Sequence, residues 1–111
     1  MIKIKEVIKV KIIGTSCESI YTADKVLCAI VCPDDADFNG KTVQLKAGIR
    51  EAGSIFPVYD RTGSSDPIVL GAQRYVFLDL IDLAGAVYIK LEFSANLNGK
   101  EVELVLRKLN Y

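Results

Sequence analysis

The chain has 111 residues, half of them apolar, with 14 basic and 14 acidic side chains and no histidine. This length has room for one hydrophobic core, and the evenly mixed charge is not that of a disordered protein. Without histidine the chain lacks the commonest metal ligand and every Ser-His or Cys-His nucleophile arrangement. We therefore expect a protein that is not an enzyme and binds no cofactor.

The mean hydropathy of +0.27 is high for so small a domain, so we expect some apolar surface to contact another chain. Residues 1–13 hold four lysines against one glutamate, giving +3, and the rest of the neutral chain therefore carries −3. No second basic cluster follows, and we expect neither DNA nor RNA as a partner. The longest apolar run has seven residues, against the roughly 20 of a membrane helix. We expect no membrane partner, and synthesis in the cytoplasm without a signal peptide.

The first predicted strand covers residues 1–13 and alternates with a period of two. Its even positions are apolar and are predicted to face the core: Ile2, Ile4, Ile8, Val10 and Ile12. Most of its odd positions form a stripe of lysines that is predicted to face outward: Lys3, Lys5, Lys9 and Lys11. This lysine stripe is either a seat for an acidic partner or the solvated face of an edge strand, and the sequence favours both equally.

Seven further strands are predicted in chain order, at residues 26–32, 43–49, 55–59, 68–70, 75–78, 87–93 and 102–109. The continuous apolar run at 26–32 is typical of a central strand, and Asn98-Gly99 is typical of a tight hairpin between the last two strands. Only residues 79–84 have room for a helical turn. The eight strands predict one all-β domain over residues 1–111, an antiparallel eight-stranded β-sandwich of jelly-roll type, with an immunoglobulin-like sandwich as the alternative.

Residues 35–40 match the opening half of a calcium-binding loop, but the required glutamate at its twelfth position is Lys46. We therefore predict a polar connection with Phe38 in the core and no metal site. The three cysteines form no CxxC pair and are expected to be reduced. Cys28 and Cys32, four apart on one strand, are predicted to be small buried core residues. A glycosidase would need two of the loop aspartates close together: Asp34, Asp35, Asp37, Asp60, Asp66, Asp79 and Asp82.

Several segments resemble small structural proteins of tailed bacteriophages: Phe56-Pro57-Val58-Tyr59-Asp60, Gln73 to Asp79, Ala84-Gly85, Val87 to Leu91 and Leu104 to Arg107. In size and character the chain is most similar to the capsid decoration (cement or staple) proteins of epsilon-fifteen-like short-tailed phages. This resemblance implies a small jelly roll on the outer capsid surface that clamps neighbouring major capsid subunits. Residues 2–13 and 92–96 depart from the pattern, so a partner surface formed by them would be particular to this chain.

We therefore expect a virion structural protein that staples major capsid subunits and pairs as a homodimer across a capsid two-fold axis. The alternative is a carbohydrate-binding or adhesion module of a phage fibre or spike. An exposed aromatic cluster in a concave face would favour that alternative, and burial of all five tyrosines would favour the staple. The residues predicted to contact a partner are Lys3, Lys5, Lys9, Lys11, Asp34, Asp35, Asp37, Arg61 and Asp66.

Overall fold

The computed structural model describes residues 5–49, 55–57, 67–78 and 87–108. These ranges contain nine strands and one short 3-10 turn, Ala36–Phe38. The strands are β1 (Lys5–Lys11), β2 (Ile20–Tyr21), β3 (Lys25–Val31), β4 (Thr42–Gly48), β5 (Ile55–Pro57), β6 (Ile68–Val69), β7 (Tyr75–Phe77), β8 (Tyr88–Phe93) and β9 (Glu101–Lys108). Within these ranges no helix is long and apolar enough to span a bilayer.

The strands form two antiparallel sheets that pack against each other, which confirms the predicted all-β sandwich. The first sheet has the order β1-β9-β3-β7, and the second has the order β2-β8-β4-β5 with β6 also paired to β4. The described residues contain nine strands rather than eight, because β2 has only two residues and carries no periodic signal. The jelly-roll topology stays a prediction at this point.

The predicted alternation of the first strand is confirmed for β1. Burial changes at every residue of Lys5–Lys11, and the described lysines of the stripe are all exposed. On the opposite face, Ile8 and Val10 pack against the core. The predicted strand was longer, but its first four residues, including Lys3, lie outside the described residues.

The predicted central strand is also confirmed, since β3 lies between β9 and β7. Its pairing with β9 shifts between Leu27 and Ala29, so Cys28 is the extra residue of a β-bulge. The bulge explains why Cys28, which was predicted to be buried, is partly exposed. Cys32 is buried as predicted, Cys17 is buried as well, and all three are free thiols.

The predicted hairpin between the last two strands is wrong. β8 belongs to the second sheet and β9 to the first, so residues 94–100 cross the roughly 10 Å between the sheets. Gly99 does have the positive φ of +85° that a glycine turn needs. Its N–H, however, donates to the carbonyl of Ile12, and that of Leu97 donates to Gly14. The turn is therefore fixed by the end of β1 rather than by β8.

The core lies between the two sheets and forms one hydrophobic cluster. Both sheets contribute residues with no exposed surface, such as Leu104 from β9 and Val43 from β4. Phe38, at the end of the 3-10 turn, is also fully buried, as predicted for the connection that contains the partial calcium motif. The stability of the sandwich therefore rests on the inward-facing residues of both sheets.

Candidate interaction surface

The outer face of the first sheet carries a row of apolar side chains. The strand register aligns Val7 with Val105, Val105 with Ala29, and Ala29 with Phe77. These four residues, here called the apolar row, therefore cross all four strands. Their neighbours in sequence on β9 and β3, Leu104 and Ile30, belong to the core cluster, whereas Val105 and Ala29 do not. Because successive side chains point to opposite faces, the apolar row points away from the core.

The two ends of the apolar row are open to solvent. The exposed fraction is 58% for Val7 and 78% for Phe77, against 8% for Val105 and 1% for Ala29 in the middle. Tyr75, half exposed on the same strand as Phe77, places its ring centroid 4.9 Å from the Phe77 ring. Complete burial of a large apolar side chain contributes about 1.5–3 kcal/mol. Covering the two exposed ends of the row with a partner is therefore energetically favourable.

The lysine stripe borders the apolar row, and Val7 interrupts it. Lys9 lies opposite Glu103, and Lys11 lies opposite Glu101, on the neighbouring strand β9. Lys5 faces Arg107 instead. Two lysines of the stripe therefore lie beside carboxylates of β9. Opposite charges at facing positions of two strands stabilise the strand pair slightly.

The predicted aspartates do come together in part, at the end of the sandwich. The ammonium group of Lys100 lies 2.6 Å from a carboxylate oxygen of Asp35 and 2.9 Å from one of Asp37. Asp35 also caps the 3-10 turn by accepting a hydrogen bond from the backbone N–H of Asp37. Asp34 is exposed beside them. The other predicted residues of this group, Arg61 and Asp66, lie outside the described residues.

The chemistry of this aspartate pair is that of an ion pair. The hydrogen bond from Lys100 lowers the pKa of Asp35, and the same contact raises the pKa of Lys100. A carboxyl group that acts as a general acid near neutral pH needs a raised pKa, so Asp35 is tuned in the opposite direction. The lysine also occupies the space between the two carboxylates that a bound cation would take.

Other reactive groups in the described ranges are dispersed. No group of three or more histidine, cysteine, aspartate or glutamate side chains in those ranges could hold a metal ion. Burial raises the pKa of the Cys17 thiol, and it does the same for Cys32. Both thiols are therefore kept in the unreactive protonated form.

The outer face of the second sheet carries a separate aromatic pair. Tyr21 and Tyr88 are cross-strand partners whose ring centroids lie 5.3 Å apart in an edge-to-face arrangement. Tyr21 is 54% exposed and Tyr88 is half-buried. Together with the exposed Tyr75, they show that the described tyrosines are not buried, so this criterion does not favour the staple.

Sequence patterns predicted the outward direction of the lysines but missed the apolar row. Its one local signal is Val7, which takes an odd position of β1 where a lysine would continue the stripe. The rest of the row depends on which residues lie side by side in the sheet.

No protein-family model matches the chain, and no curated protein matches it.

Proposed function

We propose that this protein is a non-enzymatic docking module that staples neighbouring major capsid subunits of a tailed phage from the outside of the shell. The observation that carries the proposal is the apolar row, whose two ends, Val7 and Phe77, expose apolar side chains on the first sheet with charged residues beside them. At about 25 cal/mol per Å² of apolar surface removed from water, a modest interface repeated over a shell stabilises it against internal DNA pressure.

The proposed arrangement places the protein on the outer virion surface as a homodimer across a two-fold axis. A two-fold contact uses the same patch on both subunits, and an apolar patch with both charge signs at its border suits such a contact. The strand pairing also supports a jelly roll, because the antiparallel pairs are nested: β1 pairs with β9, β2 with β8 and β3 with β7.

Copy number in purified virions tests this proposal directly. Quantitative mass spectrometry should find the protein in hundreds of copies per particle. Reconstitution then locates the docking face: Phe77→Glu, which places a charge in the apolar row, should abolish occupancy. The matched control is Tyr21→Glu, since Tyr21 is an exposed aromatic residue on the opposite outer face, and it should leave occupancy unchanged. Virions without the protein would overturn the proposal.

The lysine stripe has its own test. Replacing Lys3, Lys5, Lys9 and Lys11 together by Gln should barely change folding, because exposed charge pairs contribute only about 0–1 kcal/mol each. If the stripe seats the protein on an acidic patch of the shell, the variant should show lower occupancy and a weaker dependence on salt. Full occupancy at both low and high salt would mean that the lysines only keep an edge strand from aggregating.

The second candidate, a carbohydrate-binding module, is favoured by the exposed aromatic residues. Tyrosine rings stack on the apolar faces of sugars, and two aromatic pairs lie at the surface. Binding of a glycan array by the wild-type protein, lost in Tyr88→Ser and kept in Phe77→Glu, would support this candidate over the staple.

A further inference from the structure

Strand β1 has an open backbone edge. It is the end strand of the first sheet, paired only with β9 among the described residues. At its end, the N–H of Ile12 donates to the carbonyl of Lys100, and the carbonyl of Ile12 accepts from Gly99. Because the backbone groups of successive residues point to opposite sides of a strand, those of Val7, Lys9 and Lys11 point away from β9.

A groove lies beside this edge, where the chain passes from the first sheet to the second. Its volume is about 390 Å³, and three apolar residues line it: Val10, Ile13 and Ile20. Val10 and Ile20 also touch the core cluster, and Ile13 is 61% exposed. The groove therefore presents an apolar surface next to backbone groups that pair with no other strand in the part of the chain that the structure describes.

The charges at the edge favour an acidic occupant. Lys9 and Lys11 line the groove, against one carboxylate from Glu18. The only acid within β1, Glu6, is engaged by Lys25 at 3.2 Å and by Lys108 at 3.8 Å. The net charge of the residues of β1 is therefore positive, and the carboxylates beside Lys9 and Lys11, Glu103 and Glu101, lie on the β9 side rather than at the open edge.

We propose that an extended acidic segment of a partner protein pairs with β1 and becomes an additional strand of the first sheet. Residues of the segment opposite Lys9 and Lys11 are acidic, and the alternate residues are apolar and fill the groove. Each lysine then lies between two carboxylates, one of them from β9. The outer carboxylates are two strand spacings apart, about 9.6 Å, close to the Debye length at physiological salt, so their mutual repulsion is largely screened.

A second copy of the chain fits this edge less well. Antiparallel pairing of β1 with itself around Val7 places Lys5 opposite Lys9 of the other copy, and pairing around Lys9 places the two Lys9 residues opposite each other. Like charges directly opposite each other destabilise a strand pair. Addition of a strand with complementary charges avoids this repulsion and is a known mode of peptide recognition.

The assignment of a protein as the partner rests on the proposed function. The strand pairing itself is tested with the isolated chain. The probe is a capped octapeptide of alternating valine and glutamate. We expect saturable binding, with slower hydrogen exchange at the backbone amides of Val7, Lys9 and Lys11. The amides of Ile8 and Val10 already face β9 and should change little.

Two methylated peptides of identical charge separate strand pairing from simple attraction. In the proposed pairing, the peptide residue opposite Lys9 is a glutamate, and its backbone N–H and C=O bond to the backbone of Lys9. Methylation of the glutamate backbone nitrogens should therefore weaken binding at least tenfold, whereas methylation of the valine nitrogens should not. In the protein, Lys9→Glu should weaken binding at least tenfold, and Lys46→Glu, on the second sheet, should not.

Equal affinity of the two methylated peptides, or no binding of the parent peptide at millimolar concentration, would overturn the inference. Protection of Ala29 and Val105 amides instead of those of β1 would also overturn it. None of these measurements uses capsids, so their failure leaves the test of virion copy number unaffected. Conversely, virions without the protein would overturn the staple and leave a positive peptide result standing.

Discussion

Inward and outward side chains alternate along the strands of both sheets, but the two outer faces carry different kinds of side chain. On the first sheet the outward positions of the central strands hold Val105 and Ala29, both buried. On the second sheet the outward register instead pairs Lys46 with Lys90, and Gln44 with Glu92. Glu92 accepts a hydrogen bond from the Thr15 hydroxyl. The comparison shows that outward residues are not equivalent: on the first sheet Val105 and Ala29 are closed to solvent, whereas on the second sheet the outward positions hold polar side chains.

The largest expected difference between the two faces comes from a buried charge. Val105→Asp should lower the free energy of unfolding by about 2–4 kcal/mol, because it places an unpaired carboxylate at a site that is almost closed to water. Lys90→Asp, which faces Lys46 at a central position of the other face, should change it by less than about 1 kcal/mol. Urea denaturation of both variants measures this. Equal effects would show that the two faces are equivalent.

The exposed end of the apolar row is expected to control association rather than folding. The double variant Tyr75→Ser, Phe77→Ser should change the free energy of unfolding by less than about 1 kcal/mol, because both rings are at least half exposed. Sedimentation should show self-association of the wild-type protein at high concentration and its loss in this variant. The control pair Tyr21→Ser, Tyr88→Ser should still associate. A strictly monomeric wild-type protein that also fails to bind shells would contradict a docking role for this face.

Charge reversal should have opposite signs on the two faces. Lys9→Glu places a carboxylate opposite Glu103 and should destabilise the protein by about 0.2–1 kcal/mol. Lys46→Glu replaces a like-charge pair with Lys90 by an opposite-charge pair and should stabilise it by a similar amount. Paired urea curves at low salt measure both changes. Destabilisation by both variants would show that these cross-strand positions do not govern the energetics.

The smallest effect is expected outside both faces, in the ion pair between Asp35 and Lys100. The lowered pKa of Asp35 means that its contribution is present above the ordinary aspartate range and is lost as pH falls through the lowered value. The raised pKa of Lys100 means that its contribution is present below the ordinary lysine range and is lost as pH rises through the raised value. Lys100→Met should remove the change at high pH and reduce the change at low pH, part of which the backbone hydrogen bond from Asp37 to Asp35 retains. An unchanged profile would show that the pair adds nothing to stability.

Sequence periodicity predicted much of the fold because burial on one face of a strand leaves a direct mark on the sequence. The alternation in β1 predicted both the strand itself and the outward direction of its lysines. The continuous apolar run predicted that β3 is a central strand. Phe38 was assigned correctly because a large aromatic residue among aspartates has few alternatives to burial. These inferences need only the residues of one segment.

Features that depend on pairing between distant segments were wrong or missed. Asn98-Gly99 is a local turn signal, and it carries no information that β8 and β9 belong to different sheets. The apolar row is formed by residues from four strands, and it becomes visible only when the register is known. Lys100 gave no sign in the sequence that it would bind Asp35 and Asp37, since 65 positions separate it from Asp35.

The pairing of β1 with β9 has a consequence for how the chain reaches its native state. These strands come from opposite ends of the described chain, with Lys5 opposite Arg107. Sheets dominated by such distant pairings fold in milliseconds to seconds, because closing a long loop costs entropy before any contact forms. During synthesis, β1 waits outside the ribosome until β9 has emerged. In that interval β1 is unpaired and can pair with β9 of a neighbouring chain that has already been completed, so domain-swapped dimers are the misassembled form that we expect when many copies are made at once.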